Sequence, residues 1–297
     1  KLKENLMELK KYVNSYQVRS YECDRNNNLR MVTLLNIFQD MADAHAAQMG
    51  LGLEFVLEQG FAWVGSNYEI EIKRLPQIHE NITMTTWPAE EKKIGAVRDF
   101  EVFGEDGERI ITASSQWILI DFKRRRPISL RENLPQYSII PERALPTEFP
   151  KIKEVERIDE QTKFRVRFDD IDLNKHVNNA VYILWASEAV APEFRLSHNP
   201  YKIAINFKKE GLMGEKIMVN TEVDGLHTTH SIRTYDGEER ELARAEITWI
   251  DFAYSADAHF PNLEESGEWE MTEESDEQTY FDLCYTYRVY EKQRTGK

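Results

Sequence analysis

Hydrophobic and polar positions change their period along the chain in a fixed order, and that order occurs twice. Leu35, Phe38, Met41, Ala42, His45, Ala46 and Met49 follow helical spacing and predict an amphipathic helix, which Gly50 and Gly52 end. A short strand over Gln17–Glu22 and a polar turn are predicted before it. Four strand-like runs come after it: Ala62–Lys73, Asn81–Ala89, Val97–Phe103 and Arg109–Asp121. Asp106–Gly107 supplies a hairpin turn between the last two. The second round predicts a strand over Lys163–Phe168, a helix near Asn179–Val190, and strands over Tyr201–Lys208, Glu215–Val223, His230–Tyr235 and Glu241–Ile250.

The two rounds align residue by residue. At an offset of 147, Tyr21 falls on Phe168, Phe38 on Trp185 and Ala42 on Ala189. The offset shrinks to 135, where Ile70 meets Ile205, Glu80 meets Glu215 and Ile82 meets Ile217, and then to 130, where Asp106–Gly107–Glu108 meets Asp236–Gly237–Glu238. Loop deletions between two copies of one fold produce such a stepwise change, so the chain reads as a duplicated domain. One helix followed by four antiparallel strands buries its apolar face only if the sheet curves around it. The predicted class is therefore α+β, a tandem (double) hotdog, each copy a long helix wrapped by a curved antiparallel sheet. The copies are placed at 1–130 and 162–250. Residues 131–161, with prolines at 135, 141, 146 and 150 and no periodicity, read as a linker. Residues 251–297 form an acidic tail, with a loop over 261–279 and an extra strand over Tyr280–Tyr290, where Phe281, Leu283, Tyr285, Tyr287 and Val289 alternate.

Composition narrows the function classes. The 297 residues are 41% hydrophobic and 11% aromatic, enough for a sizeable core. No apolar run approaches the ~18 residues that span a bilayer. The net charge of −14 is concentrated in the tail, where twelve acidic residues meet four basic ones. That balance argues against a nucleic-acid partner. Basic clusters remain at Lys92–Lys93, Lys123–Arg126 and Lys208–Lys209. The two cysteines, Cys23 and Cys284, are far apart and make no metal spacing.

Candidate chemistry sits just before the second helix, in Asp172-Leu-Asn174-Lys-His176-Val-Asn178-Asn179. In an extended stretch Asp172, Asn174 and His176 share one side. A carboxylate, an amide and an imidazole near helix-start N–H groups suit acyl chemistry: the N–H groups receive a developing oxyanion and the imidazole moves a proton. An Asp/Asn-rich turn with a helix cap would give the same pattern. At an offset of 147 the first copy carries Arg25, Asn27 and Leu29 there, so Asp172 and His176 read as having no counterparts. Glu210 likewise falls on Leu75. Asymmetry between duplicated halves favours a site over a shared turn. His227 and His230, three apart on a strand, face opposite ways and read as ordinary residues.

The chain resembles the acyl-acyl carrier protein thioesterases of bacteria and plastids over most of residues 16–250. Arg19–Ser20–Tyr21–Glu22, Trp63–Val64, Ala113–Ser114–Ser115–Gln116–Trp117 and, above all, Asp172-x-Asn174-x-His176-Val-Asn-Asn carry the resemblance. It implies hydrolysis of fatty acyl thioesters, with catalytic residues Asp172, Asn174, His176 and Glu210, no cofactor and no metal. In plant members a cysteine follows that glutamate; here the position is Gly211, which removes a Cys–His mechanism. Glu210 or Asp172 would be base or nucleophile. Phe38, Met41, Trp63 and Trp117 are the candidate acyl-chain residues, and Lys209 the candidate contact to the implied partner, an acyl carrier protein bearing a fatty acyl-phosphopantetheine. A homodimer stays open. The expected location is the bacterial cytoplasm, or the plastid stroma if a transit peptide was removed. Alternatives with the same fold are an acyl-CoA thioesterase, a hydratase or dehydratase, and a non-catalytic acyl-thioester sensor.

Overall fold

The computed structural model describes residues 10–251, 263, 269–276, 278–280 and 283–292. They belong to two units that meet in sequence between Phe252 and Ala253. In the first, one half contains β1 (Tyr12–Gln17), α1 (Met31–Gln48), α2 (Leu53–Glu58), β2 (Phe61–Ile72), β3 (Asn81–Glu91), β4 (Gly95–Phe103), β5 (Arg109–Asp121), β6 (Arg126–Pro127) and α3 (Leu130–Asn133). The other contains β7 (Glu160–Arg165), α4 (Asn179–Glu188), α5 (Pro192–Ser197), β8 (His198–Phe207), β9 (Lys216–Asp224), β10 (His227–Thr234) and β11 (Glu241–Asp251). All the strands of this unit join one antiparallel sheet in the order β1-β3-β4-β5-β2-β8-β11-β10-β9-β7, with β6 beside β5. The order reads alike from either end, which is the double hotdog. The halves are fused where β2 pairs β8, from Asn67↔Asn206 to Glu71↔Lys202.

Helix α1 buries the face that its spacing predicts, with Leu34, Leu35, Phe38, Met41 and His45 turned inward. Phe38 stacks on Phe100 of β4 with ring centroids 4.4 Å apart. Gly50, at φ 74, takes the left-handed position that ends the helix. Helix α4 is nearly apolar all round: Ala180, Val181, Tyr182, Ile183, Trp185 and Ala186 are buried. It packs on β9, β10 and β11 and against α1, which itself packs on β1 and β3, so one continuous core contains residues of both helices.

Four expectations are corrected. The strands expected at Gln17–Glu22 and Lys163–Phe168 stop earlier, at Gln17 and Arg165, and short 3-10 turns follow over Ser20–Glu22 and Phe168–Asp170. In each turn the carboxylate of the third residue accepts from the N–H of the residue before the turn: Glu22 from Arg19 N (2.9 Å) and Asp170 from Arg167 N (2.8 Å). This local capping wins over the weak strand alternation. The second unit contains β12 (Trp269–Glu274), β13 (Gln278–Tyr280), β14 (Leu283–Tyr285) and β15 (Arg288–Lys292). The acidic stretch 261–279 is thus not all loop, because β12 pairs β15; 261–262, 264–268 and 277 lie outside the described residues. Nor is Tyr280–Tyr290 one strand. Its alternation is shared between two ladders, β13–β14 and β12–β15, and the change of partner falls at Tyr287, which exchanges hydrogen bonds with Ser275. Phe281 and Asp282 lie outside the described residues. The fourth correction, to the repeat register, bears on the site and is given below.

His230 lies wholly buried between Thr221 Oγ1 and Thr228 Oγ1, each 2.9 Å from a ring nitrogen. Burial pulls its pKa down to about 3 from an ordinary 6.5, with His227 adding a little. A base with a folded pKa below its unfolded value is protonated first in the unfolded chain. Its stabilising contribution is therefore full above pH 6.5 and falls away as the pH drops toward 3. Between pH 7 and pH 5 this one group should cost about 2 kcal/mol of stability. Denaturant melts of the wild type and His230→Gln at both pH values should show that loss shrinking by this amount in the variant; an equal loss in both would contradict it.

Candidate active site

The stretch Asp172–Asn178 folds as a tight loop between the second 3-10 turn and α4. Asp172 N–H donates to the His176 carbonyl (2.9 Å), and Lys175 occupies the left-handed region at φ 66. Asp172 Oδ1 accepts from Asn174 N (2.8 Å) and His176 N (3.4 Å). The loop is pinned at both ends, by an Ile171–Val177 bridge and by Val177 N donating to the Gly211 carbonyl (2.9 Å).

The first half contains the same loop, but at an offset of 148. Asp24 N–H donates to the Asn28 carbonyl (2.8 Å), Asn27 sits at φ 63, and Asp24 Oδ1 accepts from Asn26 N and Asn28 N. The counterparts of Asp172, Asn174 and His176 are therefore Asp24, Asn26 and Asn28. The expectation that Asp172 has no counterpart is corrected: the similarity of Phe38 to Trp185 set a register one residue short of the one that the backbone follows. Asp172 and Asn174 share a turn-forming role with Asp24 and Asn26. The register at Glu210 stands, since Leu29 N donates to the Pro76 carbonyl as Val177 N does to that of Gly211. Two asymmetries remain, His176 against Asn28 and Glu210 against Leu75.

Those two side chains meet. His176 Nε2 lies 3.2 Å from Glu210 Oε2. The same oxygen accepts from the Arg125 guanidinium, which arrives from the other half of the molecule. Arg125 is at φ 51 in the turn after β5, where Asp121 Oδ1 accepts from Lys123 N and Arg124 N. His176 and Glu210 side chains keep 24% and 30% of their surface exposed, so water reaches the pair. Gly211 follows without room for a side chain: an added Cβ would stand 2.9 Å from Val177 Cγ2 and 3.1 Å from Tyr182 Oη. Its N–H donates to that buried hydroxyl at 2.9 Å, which fixes the backbone beside Glu210.

The head of α4 is built across the halves as well. Asn178 caps it by accepting from Ala180 N (2.9 Å), accepts from Gln39 Nε2 (3.3 Å) and donates to Asn36 Oδ1 (3.1 Å), both on α1. The N–H of Asn179 has no acceptor among the described residues. Strand β2 approaches it closely at Gly65, where a Cβ would stand 2.6 Å from Asn179 Nδ2 and 3.6 Å from the Trp117 ring.

The remaining candidates separate into two groups. Phe38 and Met41 are packed core, fully buried. Trp63 and Trp117 are partly exposed, and Trp117 Nε1 donates to Ser115 Oγ at 2.8 Å. Asn174 and Lys209 are exposed, and no side-chain partner holds either among the described residues; Lys208 is bound to Glu241. Sequence reasoning placed Arg125 in a basic cluster and did not relate it to Glu210, because nothing in a local pattern ties residues that stand 85 apart. It missed Arg98 entirely. This buried arginine of β4 reaches His45 Nδ1 (3.2 Å) and Thr86 Oγ1 (3.3 Å), and burial holds it down to about 10 and His45 to about 4.

Two family models match the chain: acyl-ACP thioesterase N-terminal domain over residues 9–137 and acyl-ACP thioesterase C-terminal domain over 153–251. The chain is 26% identical over 260 residues to a chloroplastic acyl-[acyl-carrier-protein] hydrolase of Cuphea viscosissima, covering 78% of this chain and 61% of that protein. It is 26% identical over 243 residues to the chloroplastic oleoyl-acyl carrier protein thioesterase 1 of Arabidopsis thaliana, covering 74% and 64%. It thus spans about three fifths of the length of these curated relatives. Among solved structures, an acyl-ACP thioesterase from Bacteroides thetaiotaomicron superposes with a TM-score of 0.72 at 23% identity, covering 80% of this chain and 97% of that one. The 12:0-ACP thioesterase from Umbellularia californica gives 0.71 at 21% identity, covering 82% and 98%; both share the fold. With the two family models covering most of its length, the chain belongs to the acyl-ACP thioesterase family.

Proposed function

We propose that this protein hydrolyses fatty acyl thioesters of acyl carrier protein, releasing free fatty acid and the carrier's thiol and so ending chain elongation. The observation that carries this reading is the His176–Glu210 pair at 3.2 Å, present in one half of a duplicated fold and replaced by Asn28 and Leu75 in the other. Glu210 takes a proton from water as the oxygen attacks the thioester carbonyl. The free N–H of Asn179 at the head of α4 receives the developing oxyanion. His176 orients the carboxylate and passes the proton to sulfur as the C–S bond breaks, and Arg125 fixes the carboxylate from the opposite side. Asn174 steadies the carbonyl. Asp172 spends Oδ1 on the turn and leaves Oδ2 for the reaction. No metal or cofactor enters these steps.

The acyl chain runs into the first half past Trp63 and Trp117, with Phe38 and Met41 behind them. The carrier approaches from the Lys209 side. Lys208 and Arg125 are already paired, whereas Lys209 stands exposed next to Glu210. A local cation of this kind attracts an acidic partner even on a chain of net charge −14, because charges are screened within about 8 Å at physiological salt. The compartment follows the substrate, bacterial cytoplasm or plastid stroma.

The test offers acyl-carrier-protein and acyl-CoA of several chain lengths and follows free thiol and free fatty acid. His176→Ala and Glu210→Ala should each lower turnover ~10²-fold. Lys209→Glu should raise KM for the carrier substrate and leave acyl-CoA hydrolysis nearly unchanged. No thiol from either substrate, or wild-type turnover in both alanine variants, would sink the reading.

A second measurement separates the two duties of Asp172. Asparagine keeps the oxygen that accepts from Asn174 N and His176 N but removes the charge. Asp172→Asn should lose tenfold or more in kcat with an unchanged melting temperature, while Asp24→Asn, in the sister loop, keeps kcat. Full activity in both would confine Asp172 to the turn.

A further inference from the structure

The segment between the two halves crosses the outer face of the sheet as a strap. At one end Asp99, wholly buried, accepts from Arg143 Nε (3.0 Å), Ala144 N (2.7 Å) and Ser114 Oγ (2.7 Å). At the other, Ile152 N donates to Asn206 Oδ1 (2.8 Å), and Arg244 holds the Ile152 carbonyl (3.1 Å) and the Glu154 carboxylate (2.6 Å). Between these anchors the strap leaves a groove of about 490 Å³ over β2, β8 and β11, at the junction of the halves. Pinning both ends fixes the height of the groove and preorganises it.

The groove has an unusual lining for the side of a sheet. Leu145, Pro146, Pro150 and Ala204 give it apolar walls, and Glu69, Glu71, Glu148 and Glu246 give it four carboxylates against one lysine, Lys202, and one histidine, His227. Lys202 is spoken for by Glu71 (3.1 Å), and Glu148 lies 3.8 Å from Lys92. Glu69 is different: only 5% exposed, it lines the groove and has no hydrogen bond or ion pair among the described residues. Its carboxylate meets the groove without a donor from those residues, and a cation there supplies the missing partner.

The spacing selects the cation. Glu69 lies opposite Ala204, and Ala204 opposite Glu246, so the two unpaired carboxylates rise from strands roughly 10 Å apart. Among the described residues, no three His, Cys, Asp or Glu groups come close enough together to hold a metal ion. The arrangement asks for separated positive charges joined by an apolar spacer that lies along Leu145, Pro146 and Pro150. We propose that this groove binds a linear aliphatic polyamine, one ammonium at Glu69 and another at Glu246. The site lies on the outer face, whereas α1 and α4 pack on the inner one, so it is separate from the reaction.

Calorimetric titration of the full chain with spermidine tests this, with putrescine as the shorter probe and magnesium chloride as the inorganic control. One spermidine should bind per chain. Glu69→Gln and Glu246→Gln should each weaken it tenfold or more while thioester hydrolysis is unchanged. Putrescine, which has the same four-carbon spacer but one ammonium fewer, should bind at the same site and more weakly. Ala204→Lys, which places an ammonium between the two carboxylates, should abolish binding and raise the melting temperature; this variant keeps the test open if Glu69→Gln fails to fold. No saturable heat with spermidine, equal affinity in the wild type and Glu246→Gln, or displacement by magnesium at equal charge concentration would overturn the proposal.

Discussion

The pairing of β2 with β8 is the constraint on which the rest of this molecule depends. Five residue pairs, from Asn67↔Asn206 to Glu71↔Lys202, turn two curved sheets into one and forbid the halves from sliding, because a one-residue slip would turn every side chain to the wrong face. With that register fixed, α1 and α4 share a core, Gln39 and Asn36 reach the cap of α4, and the turn after β5 delivers Arg125 to Glu210. The same junction leaves Glu69 and Glu246 facing the groove beneath the strap. One backbone ladder therefore sets both the inner site and the outer one.

Duplication supplied the scaffold, and a few substitutions made the halves unequal. The Asp-anchored loop before each helix is the same structure twice, down to the left-handed residue at Asn27 and Lys175. What differs is what the loop presents. Asn28 is buried, and its Nδ2 has no acceptor among the described residues, whereas His176 faces Glu210, whose counterpart in the first half is Leu75. Gly211 and Tyr182 complete the difference: the buried hydroxyl accepts the glycine N–H, and the lack of a Cβ lets Val177 and Tyr182 close around the segment that carries Glu210. The shared fold supplies the packing, and the polar groups of the second half stand where that packing holds them still.

Much of this was legible in the sequence because it rests on local periodicity. Helical spacing from Leu35 to Met49, the four strand runs of each half and the Asp106–Gly107 turn are properties of neighbouring residues, and the sheet kept all of them. The loop motif was legible through resemblance, and His176 and Glu210 through repeat asymmetry as well; the structure brings those two together. The illegible parts depend on distant residues. Aligning large apolar residues misplaced the loop register by one, since packing tolerates exchange of Phe and Trp positions where a hydrogen-bonded turn tolerates no shift. Arg125 reaches Glu210 only where the turn after β5 meets the other half, and the linker looked featureless because its hydrogen bonds go to Asp99, Asn206 and Arg244.

The central claim is that the reacting carboxylate is held jointly by the two halves, by His176 from one and Arg125 from the other. A double-mutant cycle on thioester hydrolysis with Arg125→Ala and Glu210→Gln measures that directly. If Arg125 acts by holding Glu210, its removal lowers kcat about tenfold in the wild-type background and less than about twofold once Glu210 is already neutral. Equal losses in both backgrounds, at unchanged melting temperature, would show that Arg125 works independently of Glu210 and would contradict the account.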